Sequence, residues 1–304
     1  MDRRGIELAA TLILLALFII LLITAILVLV LQSPRTKIDK VTEFKKPQQL
    51  SLGSVNKAKV IVVVDNYPFK GSKLISTWGI SIYIDLDNTI ILFDTGPDPG
   101  ILEHNMKVLG IDPSRVNFII LSHEHGDHVG GLEYVCKHAK GAKVIAPMHI
   151  PNSIKNIITK FNLELIEVTN PIKVCEGVGV IGELYGPPYE VSLVVNVTGK
   201  GLILVVGCAH PGIENIIKYA YNLTGTHVFM VIGGFHLMGS STDRLERIVN
   251  TIINDFNVDK VYPIHCTGDF ARNYFASRLG SRYCDGHVGL EVVICYFGCS
   301  GGGN

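Results

Sequence analysis

The sequence has no surplus of charge of either sign. Its 304 residues contain 27 lysines and arginines and 27 aspartates and glutamates, which gives a formal net charge of zero. Proteins that bind an extended nucleic acid usually concentrate basic residues on one face. Because the lysines and arginines are dispersed along this chain, we expect no nucleic-acid partner.

Cysteine is scarce and irregularly placed. The seven cysteines are an odd set without the framework of a small disulfide-stapled scaffold. Cys295 and Cys299 could form half of a metal site, but no second pair at suitable spacing accompanies them. We therefore expect buried free thiols, which suit a reducing compartment.

Charged residues are absent between Leu8 and Leu31. At about 1.5 Å rise per residue, a helix of this length spans a hydrocarbon core of roughly 30 Å. A cleaved signal peptide is the alternative, but its apolar core usually has about 7–15 residues, and no small-residue cleavage site precedes Gln32. We therefore predict an uncleaved, single-pass anchor at residues 1–32, so that the membrane is a partner through residues 8–31.

Basic residues are more numerous after this segment than before it. Arg3 and Arg4 precede the segment, and five basic residues follow it: Arg35, Lys37, Lys40, Lys45 and Lys46. Positive charge favours the cytoplasmic side of a membrane. The distribution, together with the cysteine usage, predicts that the C-terminal domain is cytoplasmic.

The remainder of the chain divides into a linker and one domain. Residues 33–54 are polar and contain two prolines without a sustained hydrophobic period, which is typical of a linker. We place the globular domain at residues 55–304. It opens with a buried-strand pattern at residues 58–65, and alternating isoleucines within residues 79–93 predict a β-hairpin.

The most informative segment is Ser122-His123-Glu124-His125-Gly126-Asp127-His128, which places three imidazoles and a carboxylate within six residues. Imidazole and carboxylate groups suit zinc and similar divalent ions, and a catalytic site leaves positions open for water or substrate. The preceding residues 117–121 have the pattern of a short buried strand. The pattern therefore predicts a metal site on a loop at the end of a strand.

Polar residues recur where later predicted strands end. Residues 201–206 lead to His210, residues 228–232 lead to His236, and residues 260–264 lead to His265. If these strand ends share one edge, the three histidines can converge on the first cluster. Upstream, Asp94 follows another predicted strand, where it could cap a turn or accept a ring N–H from a metal-binding histidine.

These residues resemble the metallo-β-lactamase superfamily. Residues 123–128 match its His-x-His-x-Asp-His signature, and Asp94-Thr95-Gly96 matches its upstream Asp-Thr-Gly element. The resemblance implies an α/β fold of the αββα sandwich type. It also implies two divalent ions as cofactors, with zinc as the first choice and iron, manganese or magnesium as alternatives. It implies six metal ligands: His123, His125, Asp127, His128, His210 and His265.

Further motifs resemble a narrower subgroup, the relatives of 7,8-dihydropterin-6-yl-methyl-4-(β-D-ribofuranosyl)aminobenzene 5′-phosphate synthase. The motifs include Gly207-Cys208-Ala209-His210, Gly233-Gly234-Phe235-His236 and His265-Cys266-Thr267-Gly268. Hydrolases of this fold commonly supply a bridging aspartate where this chain has Cys208, and a Gly-His-Thr element where it has residues 189–193. The usual bridging carboxylate is therefore absent.

Three functions remain open on these grounds. The subgroup implies a transferase of tetrahydromethanopterin biosynthesis that joins a dihydropterin diphosphate to ribofuranosylaminobenzene 5′-phosphate. A membrane-anchored hydrolase of a phosphate or other small ester is the second, and a non-catalytic membrane-tethered binding module is the third. We expect a small phosphorylated or pterin-like substrate, with Asp127 as a ligand that could also accept a proton, and His236 as a phosphate contact or proton donor.

Overall fold

The computed structural model describes residues 49–296 and four separate positions nearer the N-terminus, residues 17, 20, 21 and 24. Those four positions are helical. The remainder of the predicted anchor at residues 8–31, and the predicted linker as far as residue 48, lie outside the described residues. Within the part of the chain that is described, we find no helix with both the length and the apolar character needed to cross a bilayer.

Two β-sheets form the centre of the domain. The first has the spatial order β13-β1-β2-β3-β4-β5-β6 and comprises β1 (Lys57–Val64), β2 (Ser81–Asp85), β3 (Ile90–Phe93), β4 (Phe118–Ile120), β5 (Lys143–Pro147), β6 (Glu164–Val168) and β13 (Glu291–Cys295). The second has the order β12-β11-β10-β9-β8-β7 and comprises β7 (Ile172–Cys175), β8 (Val178–Tyr185), β9 (Tyr189–Val197), β10 (Gly201–Val206), β11 (Val228–Gly234) and β12 (Lys260–Ile264). The predicted hairpin is present as the antiparallel pair β2 and β3.

The strands that lead to the predicted site residues belong to a parallel part of each sheet. In the first sheet, β3, β4, β5 and β6 run parallel to one another. In the second sheet, β10, β11 and β12 do the same. Since parallel strands end at a common edge, the loops after β10, β11 and β12 lie on one side of the second sheet.

Helices cover the outer face of each sheet. The helices are α1 (Pro99–Val108), α2 (Gly126–Val129), α3 (Leu132–His138), α4 (Asn152–Lys160), α5 (Ile213–Thr224), α6 (Thr242–Asn250) and α7 (Asp269–Leu279). A π-helical turn, Thr251–Asp255, continues α6. Residues of α1, α3 and α4 pack on the first sheet, and residues of α5, α6 and α7 pack on the second.

Alternate residues of one strand enter different core layers. Ile203 of β10 packs in the layer between the two sheets, whereas its neighbours Leu202 and Leu204 pack beneath the helices of the second sheet. Successive side chains of a strand point to opposite faces, so a strand buried on both faces is apolar throughout. The predicted αββα sandwich is therefore confirmed.

The last residues of the predicted linker contact the globular domain. Chain contacts divide the molecule between Lys46 and Pro47. Leu52 is buried in the core beneath the second sheet, and the Leu50 N–H donates to Leu223 O at 2.9 Å. Residues 49–54, which the sequence assigned to the linker, therefore pack on the domain.

The described cysteines differ in whether they form a disulfide bond. Within residues 49–296, five cysteines are free, namely Cys136, Cys175, Cys208, Cys266 and Cys284. Cys295 is disulfide-bonded, so the expectation of free thiols is wrong for that residue.

Candidate metal centre

The loop after β4 carries four of the predicted donors. His123 and His128 are fully buried, Asp127 is partly buried and His125 is exposed. The short helix α2 begins at Gly126, directly after His125. This turn brings Asp127 and His128 back toward the strand end from which His123 leaves.

The second sheet supplies the other two predicted donors. His210 follows β10 and His265 follows β12. The Nε2 atom of each ring is buried and has no hydrogen-bond partner. A buried polar atom without a partner is costly, and a metal ion beside each ring would satisfy its Nε2 atom.

The six predicted donors form two groups of three. In the first cluster, donor atoms of His123, His125 and His210 all lie within 4.8 Å of one another. In the second cluster, the same holds for Asp127, His128 and His265.

Individual distances within the clusters are short. His123 Nε2 lies 3.1 Å from His125 Nδ1. His265 Nε2 lies 3.2 Å from Asp127 Oδ2, but outside hydrogen-bonding geometry. The chemistry and spacing of these donors fit two divalent ions, one at each cluster.

Asp94 orients the buried imidazoles from behind. Its Oδ2 lies 2.7 Å from His128 Nδ1 and accepts the Ser122 hydroxyl at 2.6 Å, while its Oδ1 accepts the Ser122 N–H at 2.7 Å. Ser122 Oγ lies 2.9 Å from His123 Nδ1. Because the Nδ1 atoms are engaged in this way, the Nε2 atoms of both rings face the centre, as metal-binding histidines require.

Ionisation of the histidines differs between the clusters. Burial and the neighbouring His128 hold the pKa of His123 well below its ordinary value, and burial with the nearby His236 lowers the pKa of His210 to about 4. Both rings are therefore neutral at neutral pH, which is the form that binds a metal. Burial opposes a charge on His128, but Asp94 outweighs it and raises the pKa of that ring.

Asp127 stays ionised for a similar reason. Burial disfavours its negative charge, but the adjacent imidazole of His265 and the charge of His128 together hold its pKa well below the ordinary range. An ionised carboxylate is a good metal ligand and a weak proton acceptor.

Cys208 occupies the space between the two clusters. Its side chain is 4% exposed, and its Sγ lies 3.2 Å from His128 Nε2 and 3.2 Å from Cys266 Sγ. The thiol comes within 4.8 Å of donors from both clusters, in groups with His123 and His128 and with His210 and His236. The sequence signal for this position was the presence of Cys208 where hydrolases of this fold commonly have a bridging aspartate.

Glu190 shapes the loop that carries Cys208 and His210. One carboxylate oxygen accepts the backbone N–H groups of Gly207, Cys208 and Ala209 at 3.1, 3.1 and 2.9 Å. The other oxygen accepts the His210 N–H at 2.8 Å. Burial raises the pKa of Glu190 to about 7, against the lowering effect of the N–H donors of His210 and Ala209. Nothing in the sequence near Glu190 shows which backbone groups its carboxylate would reach.

His236 lies at the margin of the centre. Its side chain is exposed, and its ring centroid lies 4.4 Å from that of His210. Its backbone φ is +49°, which holds the residue in the left-handed region after Gly233 and Gly234. The structure thus places His236 beside the first cluster, where a substrate group could reach it.

Comparison with known proteins gives three related findings. The family model of the metallo-beta-lactamase superfamily matches residues 80–220. The chain is 29% identical to 7,8-dihydropterin-6-methyl-4-(beta-D-ribofuranosyl)-aminobenzene-5'-phosphate synthase of Methanocaldococcus jannaschii, over 80% of this chain and 99% of the relative. It is also 33% identical to an uncharacterized protein of the same organism, over 77% of this chain and 99% of the relative.

A solved structure gives a similar result. The crystal structure of a metal-dependent hydrolase of the beta-lactamase superfamily aligns with a TM-score of 0.65 and 26% identity. The alignment covers 78% of this chain and 99% of that one.

Proposed function

Since the chain belongs to the metallo-beta-lactamase superfamily, we propose that it is a metal-dependent transferase that joins a dihydropterin diphosphate to ribofuranosylaminobenzene 5′-phosphate. One observation carries the proposal: two three-residue donor clusters lie side by side with Cys208 between them. Similarity along 99% of the synthase from Methanocaldococcus jannaschii supports the choice of reaction and of a phosphorylated substrate.

We assign the first ion to His123, His125 and His210, and the second to Asp127, His128 and His265. Divalent ions held there would neutralise a diphosphate and stabilise its charge as it leaves the pterin methylene carbon. Cys208 is placed to serve as a seventh donor, shared by both clusters. Thiolate and imidazole ligands together favour zinc or iron over magnesium.

Two side chains take roles beside the ions. His236 contacts a substrate phosphate or donates a proton from its exposed position next to His210. Asp127 acts as a ligand, because a carboxylate whose pKa is held so low is a poor proton acceptor. This assignment narrows the two roles that the sequence left open for Asp127.

A hydrolase of a phosphate or other small ester is the alternative. The similarity to a solved metal-dependent hydrolase, at 26% identity over 99% of that chain, favours it. In that case the same donors would serve a water molecule in place of the second organic substrate.

Product analysis separates the two reactions. The metal-loaded, full-length protein is incubated with dihydropterin diphosphate alone and together with the aminobenzene phosphate. The transferase proposal expects a joined product and free diphosphate only when both compounds are present. Consumption of the pterin compound alone at an undiminished rate would support the hydrolase. Protein whose activity survives loss of both His123 and His128 would contradict any metal-dependent reaction at this centre.

We also propose that residues 8–31 anchor the protein in a membrane with the domain on the cytoplasmic side. The charge-free, apolar run and the excess of basic residues after it support this arrangement. Protease added outside sealed right-side-out vesicles should leave the domain intact. Digestion from that side would refute the orientation, and release of the protein by carbonate washing would refute the anchor.

A further inference from the structure

Trp78, the sole tryptophan of the chain, lies against the second cluster. Its ring centroid is 4.8 Å from that of His265, with an angle of 54° between the rings. The Trp78 side chain nevertheless remains 47% exposed. A large aromatic group that touches a predicted metal ligand and still faces solvent borders the space in which a substrate would bind.

The backbone around Trp78 is tied to the metal centre on both sides. The Thr77 N–H donates to Asp65 O at 3.1 Å, and the Ile80 N–H donates to Asp127 O at 3.2 Å. Asp65 in turn accepts the His265 N–H at 2.8 Å. The backbone on both sides of Trp78 is therefore fixed relative to Asp127 and His265, two members of the second cluster.

Gly79 permits this close approach. Its φ is +142°, and a Cβ at this position would lie 2.6 Å from Asp127 O and 2.5 Å from Pro97 Cδ. Any other residue would push the segment away from the metal-binding loop. The position of Trp78 is thus fixed by the local backbone and does not depend on burial of its own ring.

The surroundings of Trp78 distinguish it from a second exposed aromatic residue on the same segment. Phe69 stacks face to face on His287, with centroids 4.7 Å apart and an angle of 7°. The rings of Trp78 and His265 are tilted relative to each other. Within residues 49–296, no aromatic ring stacks in parallel on the Trp78 indole. A flat ligand could stack there.

We propose that Trp78 is a specificity-determining residue that stacks on the planar heterocycle of the substrate while the metal donors hold its phosphates. The inference rests on the proposed function, which makes the heterocycle a dihydropterin. Ligand sites commonly combine an apolar wall with a few polar anchors, and flat heterocycles stack well on aromatic side chains. Trp78 supplies the apolar surface for the heterocycle, and the second cluster beside it supplies the polar contacts for the phosphates.

Binding measurements on the full-length, metal-loaded protein test the proposal. Dihydropterin diphosphate and inorganic diphosphate are titrated by calorimetry into wild type, Trp78→Leu and Trp78→Phe. We expect Trp78→Leu to bind the pterin compound about tenfold more weakly, the scale of one lost stacking partner. Trp78→Phe should retain most of the affinity, and inorganic diphosphate should bind all three proteins equally.

Tyr221→Leu is the matched control, because Tyr221 of α5 is also an exposed aromatic side chain, but its ring contact is with Phe256 and not with a predicted metal ligand. This variant should bind both compounds as wild type does. Equal affinity of wild type and Trp78→Leu for the pterin compound would overturn the stacking role and leave the transferase proposal standing. An equal loss for both compounds would also overturn it, since Trp78 would then act on the metal site. If wild type binds inorganic diphosphate but not the pterin compound, the proposed function and the stacking role both fail.

Discussion

Glu190 provides the most direct test of how the metal-binding loop is held. In Glu190→Ala, four backbone N–H groups lose the carboxylate that accepts them: those of Gly207, Cys208 and Ala209, which are buried, and that of His210, which is partly buried. Each unsatisfied buried donor costs about 1–3 kcal/mol. Taking the lower value, because water can enter the vacated space, we expect a loss of about 4 kcal/mol. That loss is a large part of the roughly 5–15 kcal/mol that stabilises a domain.

Glu190→Gln tests the negative charge separately from the acceptor oxygen, because it removes the charge and keeps one such oxygen. Its amide oxygen can still accept the three N–H groups that share one carboxylate oxygen, while the amide nitrogen faces the His210 N–H. The loss should therefore be smaller, about 1.5–3 kcal/mol, the range for a single hydrogen bond to a charged group. The expected order of stability is wild type, then Glu190→Gln, then Glu190→Ala.

Urea unfolding of the metal-free proteins, followed by circular dichroism, measures these differences. Glu133→Ala is the surface control, because Glu133 pairs with Lys160 at 2.6 Å on the exposed side of α3. Such pairs contribute about 0–1 kcal/mol. If Glu190→Ala is no more destabilising than this control, the carboxylate does not support the loop as the structure indicates.

The carboxyl group of Glu190 should also make the free energy of unfolding depend on pH. Burial raises its pKa from 4.5 to about 7, so the folded state holds the proton more tightly than the unfolded state does. This contribution to stability is complete below pH 4.5 and is lost as the pH rises through about 7. Glu190→Gln does not titrate, so its unfolding free energy should lack this fall.

Three further predictions concern metal binding at the two clusters. Cys208→Ala should lose the sulfur-to-cobalt charge-transfer absorption of cobalt-loaded protein and Cys266→Ala should keep it, whereas the reverse pattern would identify Cys266 as the donor. Asp94→Asn should weaken metal binding by about 10–100-fold in chelator competition, as loss of a carboxylate behind a histidine ligand does elsewhere, and unchanged affinity would contradict its orienting role. Gly186→Ala should reduce bound metal, measured by atomic absorption, because its Cβ would lie 2.2 Å from Pro211 N and 2.3 Å from His210 C. Full occupancy in that variant would show that His210 tolerates displacement.

The strands and their chemically informative ends could be predicted because the signals are local. The apolar runs at residues 201–206 and 260–264 coincide with β10 and β12. The glycines and histidines that follow mark where each strand stops. Convergence of His210 and His265 was conditional on a shared edge, and the parallel pairing of β10, β11 and β12 supplies that edge.

Other features could not be predicted because they depend on contacts distant in sequence. Glu190 reaches backbone groups 17 to 20 residues away, and no local pattern identifies those partners. Cys208 lies between two clusters only after both sheets have packed together. Leu52 belongs to residues 33–54, which show no sustained hydrophobic period, and its burial beneath the second sheet depends on residues far along the chain.

The division of donors between the sheets has a mechanical consequence. Four predicted donors follow β4 of the first sheet, whereas His210 and His265 follow strands of the second. An ion bound by donors from both sets would cross-link the two sheets at one edge of the sandwich. Its binding free energy would then stabilise the packing of one sheet on the other. Metal scarcity would then loosen the domain first along this rim, so that the supply of ions governs its resistance to proteolysis as well as its chemistry.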